Sequence, residues 1–211
     1  MDRSGTPSGA VRLLVQIPSG RQLIIARKLI STIPLISSNL TSFDLSQAEK
    51  SLFAQHTHRD FYAGLLRNTN LHTYAPIYAL APEKPYAIPS PRGIYTIHPN
   101  SASGLIQVYY GSPRAIPKEE VRADIIAAVQ RMQLARSIPA TAKPEFVCFA
   151  NHTPFNMMVL NEAIRAGFYE KLYKLQGQKN TWYNGASFHT QDSSVLWRFT
   201  EELLPRILQE L

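Results

Sequence analysis

No Gly-x-Gly-x-x-Gly turn occurs in these 211 residues, so the sequence shows no glycine-rich cradle for a dinucleotide pyrophosphate at a helix N-terminus. A phosphate loop of the Gly-x-x-x-x-Gly-Lys type and a Gly-x-Ser-x-Gly nucleophile elbow are missing too. There is one cysteine, Cys148, which excludes a disulfide within the chain and agrees with a reducing compartment. In the apolar run from Glu145 to Ala150 it reads as a buried strand thiol, inert because apolar surroundings disfavour the thiolate. No window approaches the roughly 20 apolar residues of a membrane span. The opening residues Met1 to Gly5 show no long apolar stretch of the secretory type. The expectation is a cytoplasmic protein with no membrane partner, in which the sequons at Asn39 and Asn151 carry no weight. Acidic residues are outnumbered 15 to 22, giving a net charge of +7. The basic residues are scattered rather than clustered with aromatics on one element, so no nucleic-acid partner is expected. With 45% apolar and 18% charged residues, the chain is long enough and apolar enough for a substantial core.

Local patterns give the order of elements. Val11 to Ile17 and Gln22 to Ala26 flank Pro18-Ser19-Gly20 and read as a β-hairpin, followed by a short strand from Lys28 that stops at Pro34. Ser46 and Glu49 form a capping box for a helix to about Gln55. Phe61 to Leu66, Thr73 to Leu80 and Leu105 to Tyr110 read as strands. Residues 82–99 hold five prolines and read as loop, broken by a strand at Gly93 to Ile97. Pro117 and the acids after it start the best helix, with Val121, Ile125, Val129 and Met132 on one face. Phe146 to Ala150 reads as a buried strand ending in a turn from Asn151 to Phe155. Thr181 to Asn184 is a strand, and a helix capped at Asp192 or Ser193 closes the chain, with Pro205 expected to kink or end it. This order is that of an α+β fold, a twisted, mostly antiparallel mixed sheet with flanking helices.

The run from Asn180 to Trp197, together with Phe149 to Phe155, Glu162 to Tyr169 and Leu172 to Gly177, resembles the closing portion of FAD-dependent oxidoreductases of the amine-oxidase type, in particular the fungal β-cyclopiazonate dehydrogenase branch. Val15 to Gly20 and Ala26 to Pro34 resemble the segment where that family crosses from its FAD-binding domain into its substrate domain. The resemblance implies one substrate domain over 1–211: crossover strands at 11–34, the substrate sheet and helices at 35–175, and a flavin-facing strand and helix at 176–211. It also implies that Gly185, Ala186 and Ser187 approach the flavin if FAD binds. No cofactor is expected from this chain alone, and FAD only if a complementing domain is supplied.

Several side chains are candidates for chemistry. His152 reads as leaving a strand end, where its imidazole can exchange a proton near neutral pH or simply cap backbone. His189 with Asp192 can form an oriented base, or Asp192 can serve as the helix cap. Tyr109, Tyr110, Phe155, Trp182, Tyr183, Phe188 and Trp197 are candidates to line a substrate cage. Strand alternation lets only one of Tyr109 and Tyr110, and one of Trp182 and Tyr183, face it. His56 and His58 alone are too few for a metal site, and none is expected. The chain opens with Met at the crossover and closes on a full helix, which reads as a self-sufficient unit. The leading expectation is therefore a cofactor-independent enzyme on a flavoenzyme-derived scaffold, promoting cyclisation, isomerisation or a pericyclic step on a hydrophobic natural-product intermediate, with a homodimer covering the flavin side as its expected assembly. The alternatives are an oxidoreductase half that needs a separate FAD-binding chain, and a non-catalytic binding protein.

Overall fold

The computed structural model describes residues 1–3, 9–71, 74–102, 104–136 and 143–209. They form two compact units: Met1–Thr57 with Met157–Leu211, and His58–Asn156 between them in sequence. The fold is α+β, as the element order implies.

In the first unit, β1 (Val11–Ile17) and β2 (Gly20–Ala26) form an antiparallel hairpin in the register Val11↔Ala26 to Ile17↔Gly20. Pro18 and Ser19 connect the strands, and Gly20 opens β2 at φ +128°, a conformation that side chains resist. Val11 is buried, whereas Leu14, Leu23 and Ile25 are exposed, the first two directly paired across the strands. β3 (Leu29–Ser31) runs parallel to β9 (Thr181–Tyr183). The capping box is present: Ser46 Oγ accepts the Glu49 N–H, and the Glu49 carboxylate accepts the Ser46 N–H, at the start of α1 (Gln47–Phe53). The short helices α3 (Asn161–Arg165) and α4 (Phe168–Tyr173) follow, with Phe168 and Leu172 buried against Leu35, Leu52 and Phe53.

Of the two outcomes expected at Pro205, an end is ruled out, because the closing helix α5 (Ser193–Gln209) continues through the proline. Proline removes one intrahelical hydrogen bond. The turns on either side are held by burial of Leu203 and Ile207 against Trp182, over whose ring the Arg206 guanidinium lies at 5.1 Å.

The second unit is a five-stranded sheet in the order β5-β6-β7-β4-β8 with one long helix. Its strands are β4 (Thr57–Arg67), β5 (Ile77–Tyr78), β6 (Gly93–Pro99), β7 (Ile106–Ser112) and β8 (Glu145–Met158). β5–β6, β6–β7 and β7–β4 pair antiparallel. Along β7, Ile106, Val108, Tyr110 and Ser112 are buried and alternate with half-buried Gln107, Tyr109 and Gly111. The buried set packs with Tyr62, Leu66 and Ile97 onto Val121, Ile125 and Val129 of α2 (Lys118–Ala135). Each such side chain is worth roughly 1.5–3 kcal/mol on burial. The fourth buried position of α2 is Gln133, not Met132; its amide donates to the Thr69 carbonyl at 2.7 Å, while Met132 is only partly buried.

Two further expectations are corrected here. The strand expected over Thr73 to Leu80 shrinks to Ile77–Tyr78, Thr73 itself lying outside the described residues. β8 runs through Asn151–Phe155 instead of turning there, and most of it is partly or fully exposed. It stands at the end of the strand order, where a proline costs no essential ladder bond. For the same reason Cys148 is exposed rather than buried. No helix among the described residues is long and apolar enough to cross a membrane.

Candidate functional site

α2 covers one face of the second unit's sheet; the other face is aromatic. Phe61 of β4 stacks on Phe155 of β8 at 4.7 Å between centroids and on Tyr109 of β7 at 5.4 Å. Tyr95 of β6 lies nearly parallel to Tyr109 at 6.1 Å. His152 stands 5.7 Å from Phe61, and His98 meets Tyr109 edge-on at 5.3 Å. Register explains the gathering. Phe61 pairs with Gly111 and Tyr109 with Ala63, so each ring has a small residue directly across the strands from it. A bulge between Ile94 and Thr96 makes Tyr95 an extra residue, so Ile94 and Ile97 both turn to the core and Tyr95 swings to the open face.

Burial pushes the Tyr95 phenol up to about 12, reinforced by Tyr109, so it is a neutral hydrogen-bond donor at physiological pH. Tyr110 is on the other face. It is buried against α2, donates to Asp124 at 2.7 Å and accepts from Arg92 at 3.2 Å, which removes it from the substrate-lining set. Burial first, then Asp124, raises its phenol to about 12.

The first unit holds the other candidates. Trp182, Tyr183 and Phe188 are all fully buried, Tyr183 and Phe188 stacked at 5.0 Å, so they pack the core rather than face an open cavity. Tyr183 also belongs to a charged network. The Arg3 guanidinium, with no exposed side-chain surface, reaches Asp44 Oδ1 at 2.8 Å, Glu49 Oε1 at 2.8 Å and the Tyr183 hydroxyl at 3.0 Å. Trp197 is exposed, its indole donating to Glu201 at 2.8 Å. Asp192 caps α5: its Oδ1 accepts from the Ser194 and Val195 N–H groups, each at 3.0 Å, and from the Ser194 hydroxyl at 2.6 Å. Those donors hold its carboxyl below the usual range. His189 instead pairs its Nδ1 with the Tyr173 hydroxyl at 3.2 Å and stacks on Phe199 at 4.7 Å, so the structure does not form the His189–Asp192 base.

The turn from Gly185 to His189 is tightly built. Gly185 sits at φ +105°, where an added Cβ would stand 3.2 Å from the Thr32 carbonyl oxygen. The Asn184 side chain accepts the Gly185 N–H at 2.7 Å, and Ser187 Oγ accepts the Leu35 N–H at 3.0 Å. Among the described residues, the N–H groups of Ala186 and Ser187 have no acceptor. Beside this turn the His56 ring lies between Phe53 and Phe168, its Nδ1 without a partner among the described residues. Burial lowers its pKa, opposed by the Ser187, Phe53 and Leu35 carbonyls. His58 pairs with Asp60 at 3.1 Å instead. No group of three or more metal-binding side chains occurs among the described residues.

Sequence reasoning missed Phe61, Tyr95 and His98. Alternation along β4 offered a signal for Phe61; the bulge hides Tyr95 from any fixed period.

No family model matches the chain. Among curated proteins it is 33% identical over 208 residues to the FAD-dependent oxidoreductase oblC of Cochliobolus heterostrophus, covering 95% of the chain and 43% of that protein. It is 32% identical over 198 residues to β-cyclopiazonate dehydrogenase of Aspergillus oryzae, covering 93% and 43%. The chain therefore spans less than half the length of these relatives. Among solved structures, the CLA-producing fatty acid isomerase from P. acnes superposes with a TM-score of 0.69 at 17% identity, over 92% of the chain and 44% of that protein, a likeness of fold.

Proposed function

The chain belongs to the FAD-dependent oxidoreductase family that includes β-cyclopiazonate dehydrogenase, and we propose that it supplies that family's substrate-binding portion, taking a hydrophobic natural-product intermediate on the aromatic face of its sheet. The observation that carries this is the continuous stack of Phe155, Phe61, Tyr109 and Tyr95, held on strands rather than loops and facing away from the α2 core. Rings fixed in this way bind with little loss of side-chain freedom and orient a ligand by its plane. The neutral Tyr95 phenol donates a hydrogen bond, and His98 and His152 can take or return a proton on the same face.

FAD, supplied by a complementing domain, would serve as the acceptor of electrons from the substrate. The Gly185–Ser187 turn would offer that group the Ala186 and Ser187 N–H groups, which have no acceptor among the described residues. The described residues provide no pyrophosphate cradle to go with it. A second reading, cyclisation or isomerisation without cofactor, draws on the two imidazoles sharing the aromatic face.

Visible absorption separates the two. The purified chain, incubated with FAD and desalted, is expected to retain no flavin band, and to retain one when mixed with the FAD-binding portion of the C. heterostrophus relative. A band retained by the chain alone overturns the need for a complement. No band in the mixture leaves the cofactor-free reading.

A further inference from the structure

β1 and β2 make a two-stranded sheet of their own, and every residue of β2 from Arg21 to Ile25 is exposed, on both faces of the strand. Leu23 is 57% and Ile25 63% exposed, and Leu14, the pair of Leu23, is exposed too. The backbone of β2 is open as well. Arg12 uses both its N–H and its carbonyl on Asp2, at 2.9 Å each, so at the pair Arg12↔Ile25 the two backbones face away from each other. Antiparallel pairs alternate between bonded and non-bonded, so Leu14↔Leu23 and Gln16↔Arg21 face away likewise. The N–H and carbonyl groups of Arg21, Leu23 and Ile25 therefore line the outer edge of β2, and nothing among the described residues pairs with them. Folded proteins shield such edges with lysine, proline or a bulge. The register of β2 is unbroken, the strand holds no proline, and its one charge is Arg21.

We propose that this edge is covered by the same edge of a second copy: β2 pairs antiparallel with β2 of the other chain about a two-fold axis at Leu23, making a four-stranded sheet β1-β2-β2-β1. The axis places Leu23 opposite Leu23 and each Arg21 opposite an Ile25, and every pair exchanges the backbone bonds left open in the monomer. On the face that carries Leu14, the four strands then present one row of Leu14, Leu23, Leu23 and Leu14, so the exposed leucines pack side by side. Charge selects this register. Moving the axis to Arg21 sets two guanidinium groups directly opposite each other, which destabilises a strand pair. With the axis at Leu23 the two Arg21 positions are about 14 Å apart, beyond the ~10 Å screening length at 0.1 M salt. Moving the axis to Ile25 runs the pairing past Ala26, where β2 ends.

Amide hydrogen exchange on the 211-residue chain, with sedimentation equilibrium beside it, tests this without any variant. The Gln22 and Ile24 amides bond to β1 and are protected in monomer and dimer alike. The Leu23 and Ile25 amides should exchange freely at about 5 µM and at least about tenfold more slowly at about 500 µM, as the sedimenting mass doubles. Leu23→Lys and Leu23→Glu each set like charges opposite across the axis, and each should weaken association at least about tenfold. Leu23 is exposed, so both variants should keep the parent's circular dichroism. Mixed in equal amounts the two variants should associate again, since lysine then faces glutamate. A monomer at every concentration, or protection of Leu23 and Ile25 that ignores concentration, overturns the proposal. So does a dimer that both substitutions leave intact, or one that mixing fails to restore. A chain that stays monomeric alone, yet gains protection at Leu23 and Ile25 on adding the FAD-binding portion of the C. heterostrophus relative, also overturns it and gives the edge to that portion.

Discussion

Arg3→Met tests the electrostatics of the first unit most sharply. The Arg3 side chain is fully buried and binds Asp44, Glu49 and Tyr183, and Glu49 itself is 3% exposed. Burial alone would raise the Glu49 carboxyl. Arg3, then Tyr183 and Ser46, more than reverse this and bring it to about 2 from its ordinary 4.5. That displacement is worth about 3 kcal/mol, in the same range as the roughly 3–5 kcal/mol lost when one partner of a buried pair is removed. A depressed carboxyl stabilises the fold above its unfolded pKa, and the contribution is lost as pH falls from 4.5 through about 2. At pH 7 the variant should therefore be about 3 kcal/mol less stable, and the difference should shrink as pH falls below 4.5. Urea unfolding followed by tryptophan fluorescence reads this unit by itself, since Trp182 and Trp197 both belong to it. A variant within about 0.5 kcal/mol of the parent at pH 7, or one whose deficit is the same at pH 3 as at pH 7, would refute the reasoning.

Three shorter predictions follow from local geometry. Ser46→Ala removes the α1 cap that holds the Glu49 N–H and should lower stability by about 1 kcal/mol in the same urea assay; no change would mean the cap is redundant with the Arg3 network. Gly185→Ala forces a Cβ to 3.2 Å from the Thr32 carbonyl at positive φ and should destabilise by about 1–3 kcal/mol, whereas a neutral variant would show that the turn yields. Cys148 is exposed on β8 and should react fully with a thiol reagent in native buffer within minutes; protection until urea is added would put it back in a buried setting.

What the sequence revealed was what depends on neighbours in the chain. The hairpin turn at Pro18–Gly20, the Ser46–Glu49 capping box and the apolar stripe of α2 each lie within a few residues, and each forms where its pattern stands. Asn151 to Phe155 misled because asparagine, threonine and proline signal a turn wherever they occur, while an edge strand tolerates them. The core role of Trp182 and Tyr183 was equally hidden: both are buried despite alternating along β9, because α5 covers Trp182 while Tyr183 packs with Phe53 and Phe188. Arg3 meets partners 41, 46 and 180 residues away, a distance no local pattern spans. The aromatic face needed both the β8 extension and the Tyr95 bulge, so only Tyr109, Phe155 and His152 of its members were named in advance.

The way β4 and β8 frame the second unit has a consequence for how such proteins diversify. The two strands are neighbours in the sheet, and the Thr57 hydroxyl donates to the Met158 carbonyl at 3.4 Å, so residues 58–156 leave and return through one narrow doorway. A segment with adjoining ends can be lengthened, trimmed or exchanged at small cost in loop closure. Selection can then remodel the five-stranded sheet as a cassette, leaving the Arg3 network and the Gly185 turn on the flanking segments as they are.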